Sequence, residues 1–376
     1  MNIGVLLPGF SSHAQDWALP VQLNLARALA AQDQLRVIAL RYPHRRDQYR
    51  IDSISVFALG AGQARGRQRL RLWLDAFRLI RRLHHETPFD VLHAMWADET
   101  GLIAAWAGRW LQIPVVVSIL GGELVRLHDI GYGLQLSAFS RWIVGRALHG
   151  ADRIIIPSDY VRQLINTAGY RIPESKLIFG TLGVDAARFT PSSAPPDTQR
   201  LINVASLVPV KDQATLLRAL ALLEPHIHLD IIGVGPEQPR LEILARDLGA
   251  ADRVHFIGAV DHPELPAYYQ RAAIKVLSSR HEILAMATLE AAACRLPVVS
   301  TAVGTLPNYP SLGVTAPVGD HAALAAAIRA LLDDPGQRQA LGQSARQTIL
   351  DSFTIEGTAA HLRALYRALR TTASHR

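Results

Sequence analysis

The 376-residue chain has a single cysteine, Cys294. One thiol excludes a disulfide framework and fits a reducing, cytoplasmic setting. Aromatic residues are only 6% of the chain. The basic stretches carry neither interleaved exposed aromatics nor a reader motif, so nucleic acid is not an expected partner. No apolar run approaches the roughly 20 residues needed to cross a bilayer. The amino terminus leads straight into an apolar strand at 3–7, with no basic leader and no cleavage site, and does not read as a signal peptide. Asp-x-Asp and any His/Cys cluster with metal spacing are missing, so no metal and no other cofactor is expected. A G-x-S-x-G elbow and a Walker-type lysine loop are also absent. The turn Pro8-Gly9-Phe10-Ser11-Ser12 lacks the dinucleotide fingerprint, which argues against a Rossmann-type oxidoreductase.

What is present is a regular alternation. Length alone favours two domains. In the first half, strand patterns at 3–7, 35–40, 54–59, 91–93, 115–119, 153–156 and 176–178 alternate with helical ones at 21–31, 66–85, 101–110 and 159–168. A Pro/Ser-rich break at 190–199 follows. The pattern then restarts, with strands at 201–204, 229–232, 254–257 and 274–277 and helices at 213–223, 236–248 and 265–272. This is α/β patterning: two doubly wound, Rossmann-like domains, 1–190 and 200–354, facing each other across a cleft. Three helices close the chain, and the last, at about 355–370, is expected to pack back on the first domain.

The net charge of +7 belongs to the first 190 residues, which hold 22 Lys+Arg against 15 Asp+Glu. Arginines cluster at 41–50 and 65–82. In the second cluster Leu70, Trp73, Leu74, Phe77, Ile80 and Leu83 recur at helical spacing. Such a helix either lies on an anionic membrane surface or is a domain helix with a solvated basic face.

The most informative stretch is Ser278-Ser279-Arg280-His281-Glu282, followed by a helix carrying Glu290. Eight residues at about 100° each leave the two acids some 80° apart, so they serve different purposes. Free N–H groups at the helix start, near Met286 and Ala287, would seat a diphosphate. The alternative is a loop acid and a solvated helix acid. Lys211 opens another helix after a strand, either as a point charge for a diphosphate or as a surface lysine. Gly233-Val234-Gly235-Pro236 gives a tight turn between strand and helix, and Phe256-Ile257-Gly258 ends a further strand.

Taken in order, with Gly183-Val184-Asp185 and Phe189-Thr190-Pro191, these features resemble the retaining family 4 glycosyltransferases of GT-B architecture. The resemblance implies that Glu282 contacts the donor sugar's hydroxyls and Glu290 the ribose. It implies that Lys211 neutralises the pyrophosphate, assisted by main-chain N–H groups near Met286 and Ala287. Donor-binding candidates are therefore Glu290, Ala285, Met286, Ala287, Gly233, Gly235, Ile257 and Gly9, with Lys211, Glu282 and Glu123 as catalytic candidates. Several positions depart from the family pattern. Ser206 stands where an arginine is usual, Leu120 near the place of a histidine, Ala285 where glycine is common, and Arg295 where glycine ends the helix.

On the acceptor side the candidates are His93, Trp96 and Asp98, with Asp16 and, more weakly, His13 after the first strand. A sugar or lipid headgroup could stack on Trp96 and bond Asp98; alternatively Asp98 caps a helix and His93 is satisfied in the core. The expected function is metal-independent, retaining transfer of a sugar from a nucleoside diphosphate to an acceptor hydroxyl, possibly on a lipid-linked or envelope polysaccharide. The expected partners are the nucleotide-sugar donor, that acceptor and, transiently, the inner face of a membrane. The alternative is a degenerate GT-B protein that binds nucleotide, sugar or a partner without turnover.

Overall fold

Short β-branched runs flanked by helix-period segments fold, in a computed structural model describing residues 1–373, into two units. The first takes Met1–Gly183 and the chain from Ile355 onward; the second takes Val184–Thr354. The first unit begins with β1 (Asn2–Gly9), α1 (Pro20–Ala30), β2 (Gln34–Tyr42), β3 (Asp47–Ile51), β4 (Ile54–Ala58) and α2 (Gly66–Glu86). It continues with β5 (Val91–Ala94), α3 (Glu99–Leu111), β6 (Val115–Ser118), α4 (Ala138–Gly150), β7 (Arg153–Ile156), α5 (Asp159–Thr167) and β8 (Leu177–Phe179). Its sheet has the order β3-β4-β2-β1-β5-β6-β7-β8, parallel except where β3 pairs with β4. Sequence reading misses β3 because Asp47-Gln-Tyr-Arg-Ile is a polar edge strand, paired on one side only.

In the second unit, β9 (Arg200–Val204), α6 (Gln213–Ala221), β10 (His228–Ile232), α7 (Gln238–Asp247), β11 (Val254–Gly258) and α8 (Leu265–Arg271) form one half. The other half is β12 (Ile274–Leu277), α9 (Met286–Ala293), β13 (Val298–Thr301), β14 (Gly313–Ala316), α10 (His321–Asp333) and α11 (Pro335–Ser352). The sheet is β11-β10-β9-β12-β13-β14, all parallel. The change of unit comes earlier than the Pro/Ser break suggests. Val184 N–H donates to Phe353 O at 2.7 Å, and Val184 and Phe189 are buried with Phe353 in the second unit's core. Burying Phe189 there draws the segment before the break into the second unit.

The last helix, α12 (Ile355–Ala373), belongs to the first unit, packing on α1 and β5. Polar groups fix its register. Arg363 Nε donates to Asp33 Oδ2 at 2.8 Å, and Tyr366 OH lies 2.6 Å from His93 Nδ1. The other ring nitrogen of His93 meets Ser118 Oγ at 2.8 Å. Burial pushes the imidazole down to about 3, so the ring is neutral.

Helix α2 corrects the simple amphipathic picture. Its buried residues are Leu72, Ala76, Ile80 and Leu83. Leu70 is 56% exposed and Trp73 and Phe77 are half-buried. Removing the phenol oxygen that meets His93 leaves a buried ring nitrogen unpaired, at a cost of about 1–2 kcal/mol. Tyr366→Phe should therefore lower the urea midpoint with the slope unchanged, and an unaltered midpoint would show that the bond does not hold the helix.

Candidate active site

Both sheets reverse strand order once, and loops leaving the two strands at such a point turn to opposite faces and open a crevice. In the second sheet the reversal lies between β9 and β12. Lys211 follows β9, Glu282 follows β12, and Lys211 Nζ lies 2.6 Å from Glu282 Oε1. Ser279 Oγ donates to the same oxygen at 2.7 Å. Burial would raise the Glu282 carboxyl, but the Lys211 ammonium and the Ser279 hydroxyl hold it below the usual carboxylate range. The loops are tied at their bases: Ser278 Oγ donates to Lys211 O and Arg280 N–H to Val210 O.

Five residues into α9, Glu290 is buried, its Oε1 2.7 Å from His262 Nε2. No side chain caps α9. Among the described residues the N–H groups of Met286 and Ala287 donate to no main-chain carbonyl, so they remain available to an anion. Ala285, the N-cap, has φ 52°, and Arg295 just beyond the helix has φ 61°. Arg295 N–H bonds Ala292 O and Leu296 N–H bonds Ala291 O, the pairing of a Schellman end usually closed by glycine. Gly233 and Gly235 let the turn after β10 approach the loop after β9. A Cβ at either would lie 2.0 Å from Ala205 O or 2.2 Å from Leu207 O. Ile257, at the end of β11, is 39% exposed.

In the first sheet the reversal lies between β1 and β5, and the acceptor-side candidates follow those strands. Most of their polar atoms are already engaged. Asp16 accepts from Ser12 N–H at 2.6 Å and from Tyr42 OH at 2.7 Å, which organises the loop after β1. Gly9 ends β1 close to Tyr42, 2.9 Å from where its Cβ would be. Asp98 caps α3, accepting from Thr100 N–H and Oγ1 at 2.8 Å. His93 is the core residue described above, not an open contact. Glu123 is buried, accepting from Leu120 N–H at 3.0 Å and Gly121 N–H at 2.6 Å. Burial pushes its carboxyl up to about 7 against the pull of those N–H groups. It braces the turn after β6 and is not presented as a free catalytic group. Trp96 stays half-buried and His13 exposed.

Two family models cover both units. Residues 20–178 match a glycosyl transferase 4-like domain, and residues 186–348 match glycosyl transferases group 1. Over 294 residues the chain is 34% identical to a glycogen synthase of Mycobacterium tuberculosis, covering 75% of this chain and 69% of that one. The chain belongs to the family 4 glycosyltransferases. Sucrose-phosphate synthase from Thermosynechococcus elongatus superposes with a TM-score of 0.83 at 21% identity, over 99% of this chain and 100% of that one. Anabaena HepE in complex with UDP gives 0.75 at 17% identity, over 98% and 100%. The glycosyltransferase thus has the GT-B fold of two Rossmann-like domains.

Three residues of this glycosyltransferase's site escape sequence reading. Ser279 and His262 carry no pattern of their own and matter only through the acids they touch. Lys275 is the third. It occupies the middle of β12, fully buried, with Nζ donating to Val276 O at 3.0 Å. A charged residue inside a four-residue buried strand is the signal that could have found it. Burial pushes its ammonium down to about 7, with the carboxylates of Glu282 and Glu290 pulling upward and Lys211 downward.

A lysine whose folded pKa lies below its unfolded value destabilises most at low pH, and the penalty fades as pH rises from about 7 towards the unfolded value. Lys275→Met should therefore raise the urea midpoint, and by more at pH 6 than at pH 9; an equal gain at both would show that the ammonium is not the cause. At Ala285 a left-handed alanine costs about 1–2 kcal/mol, partly offset by the greater unfolded-state freedom of glycine. Ala285→Gly should thus add roughly 0.5–1 kcal/mol in chemical denaturation, and a loss would show that the alanine is not strained.

Proposed function

We propose that the enzyme is a retaining, metal-independent hexosyltransferase that moves a sugar from a nucleoside-diphosphate donor to an acceptor hydroxyl. The observation that carries this reading is the Lys211–Glu282 pair beside the uncapped start of α9, at the strand-order reversal of the second sheet. Without donor, each charge satisfies the other. A diphosphate would take Lys211 from the carboxylate and accept from the Met286 and Ala287 N–H groups. The released Glu282 then accepts hydroxyls of the sugar, held in place by Ser279, while Glu290 and His262 face the ribose. Ser206 leaves Lys211 without a second cation contributed by the β9 loop, so much of the leaving-group stabilisation falls on Lys211 and the helix start.

In the reaction the bond from the anomeric carbon to the phosphate oxygen breaks. The acceptor oxygen bonds that carbon on the same face, and its proton passes to the departing phosphate. HepE has been solved with UDP-glucose, which makes UDP the first nucleotide to try here. A lipid-linked or envelope polysaccharide acceptor, met at the inner face of the membrane, is supported by the basic first half of the chain.

Thermal-shift titration with UDP, GDP, ADP, CDP and TDP, with and without EDTA, tests the donor reading. One nucleotide should stabilise the native enzyme by a few kcal/mol at saturation, equally with chelator, and Lys211→Ala should weaken that effect. Glu282→Gln should lower kcat with the matching sugar nucleotide by on the order of 100-fold or more while preserving the unfolding midpoint. Stabilisation by no nucleotide, or full turnover in Glu282→Gln, would overturn the assignment.

A further inference from the structure

A groove of about 980 Å³ runs over the helices of the first unit, lined by residues of α2, α3 and α4 and of the turns that enter β6 and β7. Its apolar wall is Leu70, Trp73, Trp106 and Trp142; Arg109, Arg146 and Arg153 stand in it as cations, with one carboxylate, Asp152, which accepts from Val115 N–H at 2.9 Å. Trp73, Phe139 and Trp142 form a ring stack from α2 to α4, with centroids 6.2 and 6.1 Å apart. Phe139 is 46% and Trp142 51% exposed, and Trp110, beside Arg109, is 71% exposed. The Trp73 Nε1–H is buried with no hydrogen-bond partner, although a buried indole N–H normally finds an acceptor. Neither Arg109 nor Arg146 meets a carboxylate among the described residues. The groove reaches the starting ends of β6 and β7, at Pro114, Val115 and Arg153. The candidate substrate contacts Asp98 and Asp16 follow the opposite ends of their strands, so the groove is a separate site.

We propose that this groove docks the enzyme on a bilayer surface containing anionic phospholipid. An acyl chain lies along the tryptophan wall and a phosphate sits between Arg109 and Arg146. The combination selects this occupant. A sugar phosphate would use the arginines but leave the aromatic wall in water, and a purely apolar partner would bury two guanidiniums without counter-charges, which is costly. Tryptophan prefers the boundary between headgroups and hydrocarbon, and arginine binds phosphate oxygens through its planar fork while its stem packs on apolar surface. The proposal deepens the membrane-facing part of the proposed function and rests on that reading only for the acceptor's location.

The test is co-sedimentation of the full chain with vesicles of phosphatidylcholine alone or mixed with phosphatidylglycerol, together with tryptophan emission. Binding should require phosphatidylglycerol, weaken with salt and shift the emission to the blue. The double variant Arg109→Gln/Arg146→Gln should partition about 30-fold less, from about 1 kcal/mol per arginine, and Trp142→Ala roughly tenfold less. Arg240→Gln, on the other unit, should bind as the parent does. Equal binding to both vesicle types, or undiminished binding of the double variant, would overturn the proposal. So would a dimer in light scattering that Trp142→Ala dissociates, because a second copy would then cover the groove. Stabilisation by nucleotide, measured in parallel, should be unchanged in all variants. Its absence in the parent would sink the donor assignment whatever the vesicles show.

Discussion

Where a parallel sheet reverses its strand order, two loops part and leave a gap that the sheet's own side chains do not fill. In the second unit that gap separates the loops after β9 and β12, and a lysine and a glutamate bridge it at 2.6 Å. A half-buried ion pair of this kind contributes little by itself, because desolvation consumes most of the Coulomb gain. Under the proposed function its meaning lies in exchange: each charge would be given up to a ligand carrying both a diphosphate and hydroxyls. The bonds from Ser278 and Arg280 tie those loops together, and the close approach of Gly235 to Leu207 O adds the turn after β10.

Buried polar groups do two kinds of work in this chain. Some join elements distant in sequence. His93 couples β5 and β6 to the returning α12, and Arg36 donates to Leu83 O and Thr87 O at the end of α2 while its guanidinium lies 3.7 Å over the Phe89 ring. Both ring nitrogens of His93 are paired, and Arg36 is paired through its two terminal nitrogens while its Nε has no partner. Others sit near Lys211 and Glu282 with fewer partners. Among the described residues Lys275 Nζ donates to Val276 O, and Asn203 Oδ1 has no partner. Polar atoms left in that state cost stability.

Strain gathers there too. Ala285 and Arg295 hold left-handed backbone at the two ends of α9, an eight-residue helix rich in alanine. A helix that short gains little from propensity alone, so packing of Leu289 and Ala291–Ala293 into the core keeps it in place. Its position and its free N–H groups are thereby set by the domain and not by the local sequence.

The sequence by itself determined the strand-helix alternation, the two-unit plan, and Glu282, Glu290 and Lys211 as the residues to watch. Each of these rests on local information: periodicity, β-branched runs, and the order of short motifs along the chain. Polar β3 lay outside that reach, as did the change of unit at Val184, because edge pairing and the burial of Phe189 depend on distant residues. So did the fates of His93, Asp98 and Glu123. One histidine or carboxylate can face a ligand or a backbone N–H, and only folding chooses. The tertiary structure turned these three inward, brought Lys211 from one loop to Glu282 on another, buried Lys275 near them, and left Trp73 and Trp142 beside arginines that meet no carboxylate among the described residues. Such outcomes depend on which distant groups meet and which remain in water, and no spacing along a chain encodes that choice.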